Sequence, residues 1–196
     1  MDYGVLRYLH VLGAVLIGGG LIGVWMADLR SRQLRDLHGF AEAVRNIAVF
    51  YDGVVVPGAL LLMASGAWLI VRYHGGWAFL DVPWLAGMVA LFAFEFIEGN
   101  TITRLYFMRL RRLTKIALAK GAFTPDLEAA RAEGLPTFTH FLDLPLLFVI
   151  IALGVMQPDS WTVFLHGCTI AILVATVLTV LIPRLYPWRE KVGGPG

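Results

Sequence analysis

Apolar residues dominate five stretches of the chain, near 4–27, 46–72, 84–107, 136–156 and 161–184, and charged residues gather in the connections between them. A hydrocarbon core of about 30 Å takes roughly 20 residues at helical rise, so each stretch is long enough to cross a bilayer. Backbone amides in lipid must find partners inside their own segment unless strands close a barrel, and these stretches lack the period-2 alternation of barrel strands. The pattern predicts an all-α fold, a polytopic bundle of five transmembrane helices forming a single domain over residues 1–191, with a disordered tail at 192–196.

The connections carry structure of their own. Asp28 to Arg45 reads as a continuation of the first helix bent back toward the second. The connection at 108–135 predicts a helix running out of the membrane to Lys120, a turn at Gly121 to Pro125 and a short amphipathic helix. Gly75, Gly76 and Pro83 mark the loop between the second and third runs, and the tight turn from Gln157 to Ser160 makes the last two helices antiparallel neighbours. Pro57 and Pro145 lie inside runs and predict local kinks.

Charge orients the bundle. Of the 16 Lys and Arg, all but Arg7 and Arg72 fall in connections or tail on one side, which places the N-terminus outside and the C-terminus in the cytoplasm of a bacterial inner membrane. Trp25 and Trp188 then lie at the inner interface, and Trp68, Trp77, Trp84 and Trp161 at the outer one. The first run has no basic n-region and is followed by arginines, so it reads as a retained helix and not a cleaved signal. A hydrophobic fraction of 58% excludes an ordinary soluble domain. The basic face tracks topology and anionic lipid, and nucleic acid is not an expected partner. One cysteine, Cys168, excludes an intrachain disulfide or a thiolate metal cluster.

Ionisable residues inside a membrane are costly and therefore mark candidate chemistry. Toward the outer side, His10 lies roughly 10 Å deep in the first helix and His166 roughly 8 Å deep in the fifth, at about 1.5 Å per residue. Two imidazoles at matching depth, with Arg7 and Arg72 near the headgroups, suit the axial ligation and propionates of haem b; His74, at the rim of the second helix, is an alternative axial ligand. Gly13 and Gly20 thin the face that carries His10, within a run that also holds Gly18, Gly19 and Gly23, where a porphyrin could approach the backbone. Close helix packing is the competing account of those glycines, with Gly19 and Gly23 as a small-xxx-small pair.

Toward the inner side lie Asp52, Glu95, Glu98, Asn100, Thr101, His140 and Asp143. Glu95 with Glu98, and His140 with Asp143, are each three apart and share a helical face. Such a group can bind metal between facing helices, relay protons, hydrogen-bond a quinone head, or serve as a structural network with Arg104. Phosphate-binding glycine loops, haem-attachment motifs and metalloprotease motifs are absent from the sequence.

The stretch Leu6 to Gly23, LRYLHVLGAVLIGGGLIG, resembles the opening helix of HemJ-type protoporphyrinogen oxidases, of CopD-type copper-resistance membrane domains, and of a family of small bacterial predicted integral membrane proteins. The last also resembles this chain over Leu144 to Pro158, ending in VMQP. The HemJ likeness implies a haem-associated role for His10, and the CopD likeness implies metal handling.

Three functions remain open at this point. The first is a b-type haem protein, a membrane oxidoreductase exchanging electrons with a quinone or another electron-transfer partner. In it His10 with His166 or His74 ligates iron, Arg7, Arg72 and Gly13 line the cofactor, and Asp52, Glu95, Glu98, His140 and Asp143 relay protons. The second is a metal-binding or transport protein using the inner carboxylates and His140. The third is a non-enzymatic accessory subunit of a membrane complex. The sequence leaves homo-oligomers open.

Overall fold

The computed structural model describes residues 2–186; the 192–196 tail, Trp188, Arg189 and Lys191 lie outside the described residues. The chain forms α1 (Tyr3–Gln33), α2 (Leu37–Phe50), α3 (Val56–Tyr73), α4 (Pro83–Glu98), α5 (Arg104–Lys120), α6 (Pro125–Arg131), α7 (Gly134–Met156) and α8 (Thr162–Leu185). Two π-helical turns, Tyr51–Val55 and Gly99–Thr103, join α2 to α3 and α4 to α5, so five continuous rods are long and apolar enough to cross a membrane. A 3-10 segment, Gly76–Asp81, fills the loop between the second and third rods.

The local grammar explains the boundaries. Asp36 caps α2, its carboxylate accepting from Gly39 N at 2.6 Å, and Thr124 caps α6, with Pro125 behind it as first helical residue. Gly121 closes α5 in the left-handed region at φ 69°. α1 runs six residues past the first apolar stretch to Gln33, so Arg30 and Arg32 lie in the helical continuation expected from Asp28 onward.

α7 is the axis of the bundle: its apolar window is 61% buried, against 11% for α8. α1, α4 and α8 pack around it, α3 packs on α1, and α2 packs on α1 and α5. Two apolar clusters fill the membrane portion, one between α4, α7 and α8 around Phe141 and Leu153, and one between α1, α3 and α7 around Ile17 and Leu147. A third joins the ends of α1, α2, α5 and α6 around Phe40, Ile47 and Leu110, a cap on the end that carries most of the basic residues. In that cap Arg131 is buried, its guanidinium 4.4 Å from the Phe40 ring centre and 5.3 Å from Phe123. Burial pushes its pKa down to about 10, which leaves it cationic at neutral pH. The large apolar side chains left outside these clusters, such as Val15, Val71, Val155 and Ile170, point outward from the rods, as lipid contact requires.

The glycines of α1 serve helix packing. A Cβ on Gly13 would lie 2.8 Å from Leu62 N and 3.0 Å from Gly58 O, and one on Gly58 would lie 3.0 Å from Ile17 N. Gly20 meets Val55 and Gly23 meets the Phe50 ring in the same way, so the whole thinned face is occupied by the second rod. Gly13 therefore has no open face for a porphyrin, and Gly19, with nothing within 4 Å, is not part of the packing seam.

Candidate functional site

The two π-helical turns face each other, and each has a local cause. Pro57 lacks an N–H and its ring would collide with the carbonyl four residues earlier, at Gly53, so the turn before it widens. In the partner turn, side chains take carbonyls that the helix would use: Asn100 Nδ2 donates to Phe96 O at 2.7 Å, Thr101 Oγ1 to Ile97 O at 2.7 Å, and Tyr51 Oη crosses from the other rod to donate to Gly99 O at 2.8 Å. A Cβ on Gly99 would sit 2.7 Å from the Tyr51 oxygen, so this crossing needs glycine. π-turns expose backbone carbonyls and recur at functional sites.

Between these turns lies a cavity of about 50 Å³, lined on its polar side by Tyr51, Glu95, Asn100 and Asp143 and on its apolar side by residues such as Ile17 and Phe92. That volume holds a short chain of water, on the order of three or four molecules. Glu95 and Glu98 stand one turn apart on α4, and both lie within electrostatic range of Asp143. Thr103 Oγ1 donates to Glu98 Oε1 at 2.8 Å and lies 3.1 Å from Thr139 Oγ1. Glu95 Oε1 and Asp143 Oδ2 are buried with no hydrogen-bond partner among the described residues.

Of the inner candidates, the structure thus brings Glu95, Glu98 and Asp143 together. Asp52 is not with them: it is about half exposed and pairs with Arg104 Nε at 3.0 Å. His140 turns to another set, beside the buried ion pair of Asp28 with Arg32 at 2.8 Å; its Nε2 is 3.9 Å from Asp28 Oδ2. The rings of Phe107, Phe141 and Trp25 surround it, and Trp25 Nε1 donates to the His140 carbonyl at 3.1 Å. Among the described residues no three His, Cys, Asp or Glu side chains are placed to hold one metal ion, which separates His140 from the carboxyls as a metal site.

The outer candidates are dispersed. His10 packs on α3, its Nδ1 3.2 Å from Leu62 O and 3.2 Å from Ser65 Oγ. A carbonyl only accepts, so Nδ1 carries the proton and Nε2 the lone pair, the tautomer that suits a metal ligand. His74 Nδ1 lies 3.4 Å from Leu69 O, seven residues further along α3 than Leu62, or about 10 Å at helical rise. His166 is exposed on α8, which packs on α7 and makes no substantial contact with α1. Arg7 and Arg72 are exposed. Among the described residues the three histidines do not gather into one group, so the structure gives a bis-histidine haem no support. Protein purified from haem-replete cells is accordingly expected to lack the split visible bands of a six-coordinate reduced b-type centre. A spectrum with those bands at near one haem per chain would overturn this placement of the histidines.

A family model described as predicted integral membrane protein (DUF2269) matches residues 4–158. The chain belongs to this family. The DUF2269 match covers α1 to α7 and every residue of the carboxyl cavity, while α8 and His166 lie beyond it. No curated protein and no solved structure matches the chain. The likeness to HemJ-type and CopD-type proteins gains no support from these comparisons; membership of DUF2269 carries membrane integration and no activity.

Asp28, Arg32 and Thr103 escaped the reading of the sequence. Asp28 and Arg32 fall in the segment expected to continue the first helix, but their burial was not expected; the buried stripe of α1, Ile17, Leu21, Val24, continues at helical spacing through Asp28, Ser31 and Arg32.

Proposed function

We propose that this multi-pass membrane protein takes up and releases protons at a buried carboxyl site formed by Asp143, Glu98 and Glu95. The site is reached from the basic end of the bundle, which faces the cytoplasm in the inner membrane of a bacterium. The carrying observation is a pair of carboxyl oxygens without a hydrogen-bond partner among the described residues, Glu95 Oε1 and Asp143 Oδ2, at a water-sized cavity between two widened helical turns. Buried acids with neither a cation nor a full set of donors are expensive to keep, and inside a membrane they mark ion or proton pathways. Arg104 is the nearest candidate counter-charge along the same rod, but it is spent on Asp52. Here the protons have three acids, the Tyr51 and Thr103 hydroxyls and the cavity water to move through. The redox role expected for haem draws no support from the outer histidines, and the proposal is confined to protons.

The test is infrared spectroscopy of the protein in lipid during a pH titration. The C=O band of a protonated buried carboxyl is expected to appear and vanish with bulk pH, and to be absent from Glu95→Gln/Glu98→Gln/Asp143→Asn. A wild-type spectrum without a titrating band, or a band that survives in the triple variant, would overturn the proposal.

A further inference from the structure

The Asp28, Arg32 and His140 group is a second buried ionisable set, on α1 and α7, that the carboxyl site does not use. His140 is 2% exposed, and both ring nitrogens lack a hydrogen-bond partner among the described residues. A neutral imidazole has one N–H to donate and one lone pair to fill, and a protein interior rarely leaves both idle. Its Nε2 stops 3.9 Å short of Asp28 Oδ2, the same oxygen that Arg32 Nε holds at 2.8 Å. The gap is about 1 Å longer than a hydrogen bond, which a side-chain rotation closes. His140 also stands three residues before Asp143 on α7, one turn from the carboxyl site.

We infer that Asp28 and His140 are the access step through which protons pass between the basic end and the carboxyl site, with Arg32 as the fixed cation that returns Asp28 to its carboxylate form. This rests on the carboxyl site being the proton acceptor. In the step, a proton carried by the Asp28 carboxyl bonds to the lone pair of one His140 nitrogen as the Asp28 O–H bond breaks. The proton on the other nitrogen leaves toward cavity water and Asp143. The ring ends neutral, as the other tautomer, and Asp28 ends as a carboxylate paired with Arg32. No oxidant, reductant or metal takes part. The charged groups acting on the ring are Asp28 and Arg32 from α1; Asp143 stands one turn further along its own helix, and Tyr106 of α5, Glu128 and Arg131 of α6 and Glu133 lie in electrostatic range of the ion pair or of one another. The aromatic walls exclude bulk water from the ring, so a proton crossing here is routed through it.

The test is the rate at which the carboxyl band responds to a pH jump, in the full-length protein in lipid. His140→Ala is expected to slow the response about a hundredfold, the size of a lost acid–base group, while the titration reached at equilibrium keeps its amplitude. Added imidazole, small enough for the space vacated, is expected to restore the rate, and pyrazole, a much weaker base, is not. Asp28→Asn/Arg32→Gln, which removes the ion pair without stranding one charge, is expected to slow the response similarly. A response as fast as wild type in either variant overturns the access role while leaving the carboxyl site standing. Slowing that imidazole does not relieve overturns it too, by assigning His140 a structural role. A wild-type protein with no titrating band removes the carboxyl reading itself, and this inference with it.

Discussion

Asp143→Asn is expected to abolish proton uptake at the buried site while leaving the protein as stable as wild type or more so. Wild-type Asp143 lies beside Glu98 and leaves Oδ2 without a hydrogen-bond partner among the described residues. The amide has nearly the same shape but carries two permanent donors, one of which can hold Glu98 as an acceptor without any proton from water. A hydrogen bond to a charged acceptor is worth roughly 1.5–3 kcal/mol, and the amide atom left in the unpartnered position costs no more than the carboxyl oxygen it replaces, so the variant is expected to be at least as stable as wild type. The pairing of outcomes is the diagnostic part. Function lost with the thermal midpoint raised marks a site kept for chemistry at the expense of stability. A lowered midpoint would show Asp143 to be a structural hydrogen-bonding residue, and an undiminished infrared band would remove it from the site.

Gly13→Val is expected to have the largest effect on folding. The neighbours a Cβ would meet, Leu62 N, Leu62 Cα and Gly58 O at 2.8–3.0 Å, are all backbone, so no rotamer change relieves the clash. The two rods must separate along their tightest contact, and the branched side chain adds two methyl groups to what must fit. Overpacking of a well-packed contact costs about 1–3 kcal/mol, and a clash against backbone belongs at the upper end or beyond. Separation would also pull Leu62 O from His10 Nδ1. Gly19→Val is the control, since nothing lies within 4 Å of its Cβ position. Thermal midpoint and monodispersity in detergent should collapse for Gly13→Val and stay near wild type for Gly19→Val. Equal behaviour of the two variants would show that α1 and α3 do not meet through Gly13.

Period and charge were enough to read the rods. Twenty-residue apolar runs have no other way to satisfy their amides in lipid, and Gly121, Pro125 and Gln157 punctuate the chain where their backbone chemistry requires. The inner acids were legible for a similar reason: Glu95, Glu98 and Asp143 are conspicuous in an apolar run. What the sequence did not carry was azimuth. Asp52 points to the bundle surface and Arg104 while Glu95 points to the cavity, and that choice depends on the π-turns. His10 and His166 match in depth for the same superficial reason, and depth says nothing about α8 hanging on the far side of α7. The burial of Asp28 and Arg32 was hidden because a charged pair at a helix end looks solvated until a cap of three more helices closes over it.

The widened turn at Gly99–Thr103 also fixes how the cap is aimed. A π-turn amounts to one extra residue in an otherwise regular helix, and each residue turns the chain by about 100°. Everything downstream is swung by that amount relative to α4, which directs Tyr106, Phe107 and Leu110 toward α1 and α2. Deleting one residue there would straighten the rod and, in the same stroke, rotate the cap's apolar face toward solvent and close the carbonyls at the cavity. The acid site and the cap are therefore geared to a single bulge, and a sequence change that tidies the helix dismantles both.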